Sequence, residues 1–454
     1  MENFSVMPTS SLIRPEGFEC DCGKKHIASE LKAISVGSGV INTLPEILSS
    51  LEIKKPFIVT DGNEYEAAGK TVEKILGSAG IPYSLHIIPC APEKRVTPSE
   101  FAVGSIVLNL DVSCDAILCV GSGVMNDLCK VTANTTGKPL IVVATAPSMD
   151  GYASDVASMV INNIKLTLKE VIPSALICDV DIMSQAPMHM LHAGLGDMIG
   201  KFSALCEWKI ATIVKGEDYC AETAALVRES LRRIVDGADG VKDRDPESIK
   251  SIAEGLILSG IAMAYAGHSR PASGLEHYFS HCWEMVSIAK GEEGDLHGIQ
   301  VGVGTLIVLR IYEYLKTLKP DMERVMAAAD SFDPKSWEAN IRRMFVDTAD
   351  GIIAMEKRIG KNGRAGRMAR AEKIIANWDE ILKIANEAPS FAEIEAIMKS
   401  AGMPTTPEEI GISKKEAIDA FICSRDIRDK YLLSSMIWDI GYMDDVASFL
   451  ESAL

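Results

Sequence analysis

Three residues far apart in the chain, Asp197, His277 and His297, have the chemistry of a metal site. One carboxylate and two imidazoles bind a divalent ion and leave a coordination position open for a substrate. An open position is typical of a catalytic metal, because structural zinc sites are closed by four protein ligands. The sequence therefore predicts a catalytic metal whose ligands are brought together by the fold.

Each of these residues lies in a segment that gives it a role beyond packing. Asp197 follows two glycines in the otherwise apolar stretch AGLGDMIGKFSALCEW, where burial of an unpaired carboxylate would be costly. In PASGLEHYFSH, His277 shares a helix face with His281, which makes His281 a candidate acid or base. A lone histidine at the start of an apolar helix, as at His297, is usually a satisfied core residue, but the three together favour a metal. Five other histidines lack such a setting: His26, His86, His189, His192 and His268.

A glycine-rich turn, VGSGVMNDL, joins a predicted strand to a predicted helix. Gly121 and Gly123 let the backbone come close to a ligand, and the N terminus of the following helix favours an anion. The segment departs from the G-x-G-x-x-G fingerprint, because Asp127 stands near the third glycine position. A tight turn without a ligand is the alternative, and the similar segment VGSGVIN near the start of the chain keeps that alternative open.

Two further loops follow predicted strands. Asp61 ends KPFIVTD, where a carboxylate can accept hydrogen bonds from an adenosine ribose, and a helix N-cap is the alternative role. The segment ATAPSMDGYASD carries the small polar residues Thr145, Ser148, Asp150 and Ser154. Loops at strand ends often carry binding groups, although an ordinary polar turn would look similar.

The bulk composition excludes several classes of function. With 454 residues, 47% of them hydrophobic, the chain can bury a sizeable core, and its net charge of −17 argues against nucleic acid or an anionic membrane as the main partner. The start of the chain lacks signal-peptide character, and the longest apolar stretch, GLILSGIAMAYAG, predicts a buried helix rather than a membrane span. Eleven cysteines without framework spacing indicate reduced thiols, so we expect a cytoplasmic protein.

The segment ECDCGKKH has two interpretations. Cys20, Cys22 and His26 supply three zinc ligands but no second half of a site. The alternative is a surface turn in a β-hairpin, which we favour because ligand spacing is the test of a metal site.

The order of predicted elements indicates two domains. Up to about residue 180, β-rich runs alternate with helical stretches, which predicts a parallel sheet with crossover helices. After Pro187, helical periodicity continues to the end of the chain. We therefore predict a Rossmann-like α/β domain over residues 1–184 and an all-α domain over residues 185–454. The strands are predicted at AISVGSG, KPFIVTD, YSLHIIP, AILCVGSG and LIVVATAP, and the first helices at EYEAAGKTVEKILGSAG and VMNDLCKVTANTTG.

Taken together, these segments resemble the superfamily of iron-containing alcohol dehydrogenases and glycerol dehydrogenases, whose fold is dehydroquinate synthase-like. PASGLEHYFSH and HGIQVGVGT mark the superfamily. Within it, the chain is most similar to the bacterial sn-glycerol-1-phosphate dehydrogenases, through GSGVMNDL, TAPSMDGYAS, AGLGDMIGKFSALCEW, PTTPEEIG and IRDKYLLSSMIWDIGYMD. These motifs extend from about residue 30 to the end of the chain.

The resemblance implies a reaction and its cofactors. The reaction is the reversible, NAD(P)H-dependent and metal-dependent reduction of dihydroxyacetone phosphate to sn-glycerol-1-phosphate. Asp61 matches the acidic residue that favours NAD in related enzymes, although NADP remains possible. The implied metal is zinc or nickel rather than iron, and the ligand types alone do not choose between them.

The resemblance also implies that the α/β domain, residues 1–184, binds NAD(P) and that the all-α domain, residues 185–454, binds metal and substrate, and it assigns site residues. The metal falls to Asp197, His277 and His297, while catalysis and substrate contact fall to Asp150, Asp197 and His281. The cofactor falls to Asp61, Gly121, Gly123, Val124, Met125, Asn126, Asp127, Thr145, Ser148 and Ser154. The substrate phosphate needs cations, for which Lys201, Lys165 and Arg270 are candidates, with solvated surface charge as the alternative for Lys165.

Two other functions remain open at this point. One is a dehydrogenase of glycerol or another polyol from the same superfamily. The other is a non-catalytic protein that binds a nucleotide or a metal, because a fold does not guarantee an activity. We expect a small phosphorylated triose as the partner, no nucleic acid and no membrane, and by analogy a homo-oligomer, either a dimer or larger.

Overall fold

The computed structural model describes residues 18–26, 31–90, 95–161 and 164–454. The chain divides into two compact units that alternate along the sequence. Unit 1 comprises the described residues up to Met198 together with Ala221–Ser269, and unit 2 comprises Ile199–Cys220 and Arg270–Leu454. The predicted boundary between residues 184 and 185 follows the change from strands to helices and stays a prediction.

The strands of the described residues all lie in unit 1. They are β1 (Phe18–Glu19), β2 (Lys25–His26), β3 (Ala33–Gly37), β4 (Pro56–Asp61), β5 (Ser84–Ile88), β6 (Ala116–Gly121), β7 (Leu140–Ala144), β8 (Val156–Ile161), β9 (Ile164–Lys169) and β10 (Ala175–Asp179). Six of them form a parallel sheet in the order β3-β10-β7-β6-β4-β5. The five predicted strands are confirmed. Strand β10 and the antiparallel hairpin of β8 and β9 were not predicted from the sequence.

The sheet creates a topological switch point between β4 and β6. The chain leaves β4 towards β5 on one side, and it leaves β6 towards β7 on the other. Ligands of open α/β sheets bind beyond the carboxyl ends of the two strands at such a point. In this chain those ends are Asp61 and Gly121. Strands β6 and β7 are buried at every residue, as expected for strands covered on both faces.

The helices between residues 44 and 266 belong to unit 1, apart from α8 and the last residue of α7. They are α1 (Leu44–Ser50), α2 (Gly62–Glu64), α3 (Lys70–Ser78), α4 (Glu100–Asn109), α5 (Gly123–Thr136), α6 (Val180–Met183), α7 (Met188–Ile199), α8 (Lys201–Lys215), α9 (Ala221–Gly237) and α10 (Pro246–Ala266). A π-helical segment, Tyr65–Gly69, joins α2 to α3, so the predicted helix of this region is confirmed with a local irregularity.

Helix α10 is a central element of unit 1. Asp245 caps its N terminus by accepting a hydrogen bond from the backbone N–H of Ser248, and Gly267 ends it at a φ of 74°. Among the described residues, it is the one helix long and apolar enough to cross a membrane, but 67% of its apolar window is buried inside the protein. It packs against α9, α6 and β3, which confirms the predicted buried helix.

Unit 2 is helical throughout its described residues. Besides α8 it contains α11 (Leu275–Lys290), α12 (His297–Leu315), α13 (Met322–Asp330), α14 (Pro334–Phe345), α15 (Ala349–Ile359), α16 (Arg364–Ala376), α17 (Trp378–Ala385), α18 (Phe391–Ser400), α19 (Lys414–Ser424), α20 (Leu433–Asp439) and α21 (Met443–Ala453). The continuous periodicity from Trp337 to Ile359 corresponds to two helices, because Val346 takes a φ of 37° and interrupts the helical backbone.

Candidate metal centre and cofactor site

In unit 1, Asp150 and Asp197 lie side by side. The backbone N–H of Asp150 donates to Asp197 Oδ2 at 3.0 Å, and the hydroxyl of Ser259 donates to Asp150 Oδ2 at 3.0 Å. Asp197 is fully buried on α7, and Ser259 belongs to α10. The loop that carries Asp150 therefore holds the Asp197 carboxylate through one oxygen, which fixes the direction of the other.

Two glycines permit this close approach of helices to the loop. A Cβ atom at Gly194 would lie 1.8 Å from the carbonyl oxygen of Pro147, and one at Gly260 would lie 2.9 Å from the Cβ of Ala153. Neither distance is possible for a real side chain. Gly194, which the sequence marked only as a flank of Asp197, thus lets α7 reach the loop.

A buried lysine fixes the far end of the same loop. The ammonium of Lys130, on α5, donates to the carbonyl oxygens of Gly151 at 2.5 Å, Ser154 at 2.6 Å and Val156 at 3.0 Å. It also lies 3.3 Å from the Ser154 hydroxyl, which itself donates to the Gly151 carbonyl. Burial lowers the pKa of Lys130 to about 8. Ser154, a predicted cofactor residue, is therefore part of the clamp that shapes the loop.

At the switch point, Asp61 caps the helix that follows β4. Its Oδ1 accepts a hydrogen bond from the backbone N–H of Glu64 at 2.9 Å, which is the N-cap arrangement. The cap role is therefore present in the structure, and a role towards a ribose stays a prediction.

Glu64 bridges the carboxyl ends of three strands and was missed by sequence reasoning. Its Oε1 accepts hydrogen bonds from the backbone N–H and the hydroxyl of Ser122, and its Oε2 accepts one from Thr145. Burial raises the pKa of Glu64, while the hydrogen bonds from Thr145 and Ser122 act in the opposite direction. The available signal was the position of this acidic residue, one helical turn after the strand-end Asp61.

The glycine-rich turn brings α5 tightly against the end of β6. A Cβ at Gly121 would lie 2.5 Å from the Cβ of Met125, and one at Gly123 would lie 3.2 Å from Met149. The amide of Asn126, in the first turn of α5, is fully buried and has no hydrogen-bond partner among the described residues. A buried unpaired amide costs free energy, so this side chain fits a ligand group at the helix N terminus, where backbone N–H groups favour an anion.

The remaining predicted cofactor residues have definite surroundings. The carboxylate of Asp127 accepts a hydrogen bond from the backbone N–H of Ser158 at 3.0 Å, so it ties α5 to β8. Val124 is half-buried in the first turn of α5, and Ser148 is buried in the loop of Asp150. Each lies in unit 1, in an element that follows β6 or β7.

In unit 2, a carboxylate orients the ring of His277. The Nδ1 atom of this buried histidine lies 2.9 Å from Glu276 Oε1, which also accepts from the backbone N–H of Gly274 at 2.6 Å. Glu276 Oε2 accepts from the hydroxyl of Ser203 at 2.6 Å. Burial would raise the pKa of Glu276, but the hydrogen bonds and the charge of His277 lower it. An ionised carboxylate at Nδ1 leaves Nε2 as the ligand atom, which is the usual arrangement of a metal-binding histidine.

The ring of His297 is also held at its Nδ1 atom, in this case by the hydroxyl of Ser280. The Ser280 hydroxyl donates its single hydrogen to Gln300 Oε1 at 2.8 Å, so its oxygen accepts from His297 Nδ1, also at 2.8 Å. This arrangement again leaves Nε2 of the ring as the available lone pair. The ring centroids of His277 and His297 are 5.3 Å apart, so α11 and α12 bring two predicted ligands together.

His281 completes a group of three histidines. Its ring stacks on that of His297 with centroids 5.5 Å apart, and Glu284 lies within 3.7 Å of both rings. Burial, followed by the charge of Arg428, lowers the pKa of His281 well below its ordinary value. The ring is therefore neutral at pH 7. Glu284 was missed, although its position three residues after His281 on α11 gave a signal.

Glu207 and Gly274 determine how the start of α11, in the PASGLEH motif, is packed. Glu207 accepts hydrogen bonds from the backbone N–H groups of Leu275 and Leu433, so it holds the starts of α11 and α20. A Cβ at Gly274 would lie 2.8 Å from carboxylate oxygens of both Glu207 and Glu276. Burial, followed by the charge of Glu276, raises the pKa of Glu207.

The candidate phosphate cations have different surroundings. Arg270 forms a bidentate pair with Glu217 at 2.5 and 2.6 Å and donates to the Tyr431 carbonyl, so its guanidinium is already engaged within unit 2. Lys201 is fully buried at the start of α8. The side chain of Lys165 lies outside those that the structure describes.

Two cations of the tail motif IRDKYLL interact with residues of the PASGLEHYFSH segment in unit 2 and were missed. Lys430 donates to the carbonyl of Ser273, in the PASG segment, at 2.6 Å. Burial, followed by the charge of Arg270, lowers its pKa to about 7. Arg428 is close enough to depress the pKa of His281.

Comparison with known proteins gives one consistent result. A family model described as iron-containing alcohol dehydrogenase matches residues 35–187. A glycerol-1-phosphate dehydrogenase (NAD(P)+) of Halalkalibacterium halodurans is 35% identical over 295 residues, which are 65% of this chain and 74% of that protein. The chain belongs to the glycerol-1-phosphate dehydrogenase family. A relative of the same name from Geobacillus thermodenitrificans is 28% identical over 411 residues, which are 90% of this chain and 91% of that protein.

A solved structure supports the fold of this glycerol-1-phosphate dehydrogenase family member. The glycerol dehydrogenase of Schizosaccharomyces pombe superposes with a TM-score of 0.60 at 14% identity, over 95% of this chain and 93% of that chain. This structure confirms the predicted fold, an α/β part followed by a mostly helical part, and the relatives confirm the predicted family. The predicted roles of individual site residues stay predictions.

Proposed function

We propose that this protein is an NAD(P)-dependent oxidoreductase that reduces dihydroxyacetone phosphate to sn-glycerol-1-phosphate and catalyses the reverse reaction. The single observation that carries the proposal is the orientation of His277 and His297 in unit 2. Both rings are held at Nδ1 by a neighbouring acceptor, which leaves two Nε2 atoms for one ion. The similar proteins named glycerol-1-phosphate dehydrogenase, of which this chain covers 74% and 91%, support this choice of substrate.

We further propose that Asp197, His277 and His297 are the metal ligands, and that the metal is zinc or nickel. A divalent ion held there would polarise the carbonyl oxygen, and the bound nicotinamide would supply the hydride. Asp197 suits this role because one of its oxygens is fixed by the backbone of Asp150. Imidazole and carboxylate ligands accept either metal.

The proposed cofactor residues surround the switch point of the sheet. The pyrophosphate would lie at the first turn of α5, with Asn126 as a polar partner. The loop clamped by Lys130 would present Ser148 and Asp150 towards the nicotinamide and the substrate. Gly121 and Gly123 let the backbone approach a ligand, because a side chain at Gly121 would overlap Met125 and one at Gly123 would press on Met149.

His281 is the proposed proton carrier. Its lowered pKa makes it a neutral imidazole, so in the oxidation direction it can accept the proton of the substrate hydroxyl and return it during reduction. Glu284, next to it, stabilises the imidazolium that forms. Asp150 is the proposed hydrogen-bond acceptor for a second substrate hydroxyl.

Arg428 and Lys430 are the proposed phosphate-binding cations. They replace Arg270, whose guanidinium is engaged by Glu217. Arg428 acts on His281 electrostatically, and Lys430 donates to the backbone of the PASG segment, so both belong to the same part of unit 2 as the histidines. A phosphate site built from these cations distinguishes the phosphorylated triose from dihydroxyacetone.

The activity test measures NADH oxidation with dihydroxyacetone phosphate and with dihydroxyacetone, after the apoprotein is reloaded with Zn²⁺ or Ni²⁺. We expect kcat/KM to favour the phosphate by at least about two orders of magnitude, because a site built for a charged group rejects an analogue that lacks it. No turnover of the phosphate with any divalent metal contradicts the proposal. A preference for the unphosphorylated ketone assigns the protein to polyol oxidation instead.

A paired variant identifies the phosphate cations. Arg428→Gln should raise KM for dihydroxyacetone phosphate while leaving the value for dihydroxyacetone almost unchanged. Lys319→Gln, in the short connection after α12, serves as a matched loss of charge elsewhere in unit 2. Equal effects of the two variants would remove Arg428 from the proposal.

We also expect a cytoplasmic homo-oligomer, with either NAD or NADP as cofactor.

A further inference from the structure

The N-terminal hairpin of unit 1 gathers sulfur and imidazole donors on one face. In the pairing of β1 with β2, residue 18 lies opposite His26, so Cys20, two residues further along, shares the face of His26. The turn is closed by hydrogen bonds between Cys20 and Lys24 and between Gly23 and Cys20, and Gly23 takes a φ of 82°. The predicted hairpin is thus confirmed, and its turn returns Cys22 towards His26.

The ring orientation of His26 is fixed by its surroundings. This side chain is 2% exposed, and its Nδ1 atom lies 2.8 Å from the backbone carbonyl oxygen of Tyr265, in the last turn of α10. A carbonyl oxygen can only accept, so Nδ1 carries a proton, and in the neutral imidazole Nε2 presents the lone pair. That lone pair faces the sulfur of Cys22 at 3.3 Å. A histidine whose second nitrogen donates to a backbone carbonyl is the common form of a metal ligand.

The distances suit a tetrahedral ion. Zinc bonds of about 2.3 Å to sulfur and about 2.0 Å to nitrogen place sulfur and nitrogen roughly 3.6 Å apart, and two sulfurs roughly 3.8 Å apart. The donor atoms of Cys20, Cys22 and His26 all lie within 4.8 Å of one another. A small closure of the turn therefore brings the three donors to bonding distance.

Chain topology indicates the fourth donor. Helices α9 and α10 pack against each other and are joined by eight residues, 238–245, so they run antiparallel. The 17 residues of α9 extend for about 25 Å, which returns its first residue, Ala221, to the level of the last turns of α10. Tyr265, the partner of His26, lies in those turns. Cys220, which is 5% exposed, immediately precedes Ala221.

We propose that Cys20, Cys22, His26 and Cys220 bind a Zn²⁺ ion that attaches the N-terminal hairpin to the end of α10. Four protein donors leave no open position, so the ion is structural and separate from the proposed catalytic metal. Three thiolates and one Zn²⁺ carry a net charge of −1, which the neighbouring Lys24 and Lys25 offset. The proposal does not depend on the proposed function.

Cobalt substitution tests this site in the full-length protein. Thiolate ligands give Co²⁺ a charge-transfer band in the near ultraviolet, whereas carboxylate and imidazole ligands do not, so the band reports the hairpin alone. We expect the band in the wild type and in His277→Ala. We expect its loss in Cys22→Ser, whose side chain is exposed, and in Cys220→Ser. Zinc content should fall by one ion per chain in the same two variants.

The control is Cys90→Ser, which removes an exposed cysteine of unit 1 outside the hairpin and should leave both the band and the zinc content unchanged. Absence of the band from the wild type, or its survival in both Cys20→Ser and Cys22→Ser, overturns the site. A Cys20–Cys22 disulfide that persists in reductant and Zn²⁺ also overturns it. A full band in Cys220→Ser rejects the fourth donor.

Discussion

Glu276 accepts a hydrogen bond from the ring of His277, a proposed metal ligand, and replacing Glu276 with glutamine isolates the effect of its charge. In the wild type, Oε1 accepts from Gly274 N and His277 Nδ1, and Oε2 accepts from the Ser203 hydroxyl. In Glu276→Gln, the amide oxygen can keep the first two hydrogen bonds, while the amide nitrogen donates to Ser203. The Ser203 hydroxyl then donates to the carbonyl of Gly200, which lies 3.0 Å away. Every group that is paired in the wild type therefore keeps a partner, and the main change is the loss of the negative charge.

The expected effect follows from the role of a carboxylate behind a ligating imidazole. Loss of such a partner lowers metal affinity by about 10–100-fold, because the ring becomes less basic. This range corresponds to about 1.4–2.7 kcal/mol of binding free energy. The free energy of unfolding of the apoprotein should change by only about 1 kcal/mol, since the hydrogen bonds of the wild type are kept.

The assay is a titration of the apoprotein with Zn²⁺ against a competing chelator, followed by NADH oxidation at saturating metal. We expect the binding midpoint of Glu276→Gln to move to higher metal concentration, while activity at saturation is largely recovered. Glu276→Ala is the contrasting variant, because it leaves the N–H of Gly274 and the ring of His277 without an acceptor and should destabilise the fold as well. Metal affinity equal to the wild type in Glu276→Gln would falsify the assignment of His277 as a ligand oriented by Glu276.

Three further outcomes are expected. Since burial lowers the pKa of Lys430 to about 7, its charge is present below pH 7 and lost above it, so KM for dihydroxyacetone phosphate should rise above pH 7. In Lys430→Arg this rise in KM should be smaller. Identical pH profiles of KM for the wild type and Lys430→Arg would contradict the role of Lys430. Gly194→Ala should lower the free energy of unfolding by about 1–3 kcal/mol, because its Cβ would meet the Pro147 carbonyl at 1.8 Å. Gly104→Ala, where the Cβ enters open space, is the matched control in thermal unfolding. Lys130→Met should cost roughly 1–3 kcal/mol for each of the three backbone carbonyls left without a donor, measured by urea unfolding, and a neutral result would contradict the clamp.

The sequence predicted the sheet well where strands are long and apolar. Strands β6 and β7 are continuous apolar runs followed by glycine or small polar residues, which is the pattern of a parallel strand buried on both faces. Strand β10 was missed because its five residues, ALICD, stand in a stretch without a recognisable helix before it. The pairing of β8 with β9 had a signal in the Asn162-Asn163 pair between two β-rich runs.

Candidate ligands could be chosen from the sequence, but the contacts that support them could not. The histidines of α11 and α12 could be chosen because few residue types bind metals and the motifs isolate them. Glu276 directly precedes His277, yet adjacent residues of a helix do not usually face each other, so its hydrogen bond to that ring was not expected. Ser280 and Glu64 act through tertiary hydrogen bonds, which no local periodicity records. Arg270 was a plausible anion site until Glu217, 53 positions earlier, was found to occupy its guanidinium.

The two units alternate along the sequence, and this order has consequences for truncated forms of the protein and for its synthesis. Helix α10 supplies Ser259 and Gly260, which contact the Asp150 loop, although in the sequence α10 comes well after the last strand of the sheet. A fragment ending at residue 184 would contain every strand and still leave that loop without its support. On the ribosome, unit 1 is therefore complete only after the polypeptide has passed through α8 and returned, so a nascent chain stalled before residue 269 should be open to proteases and to chaperones.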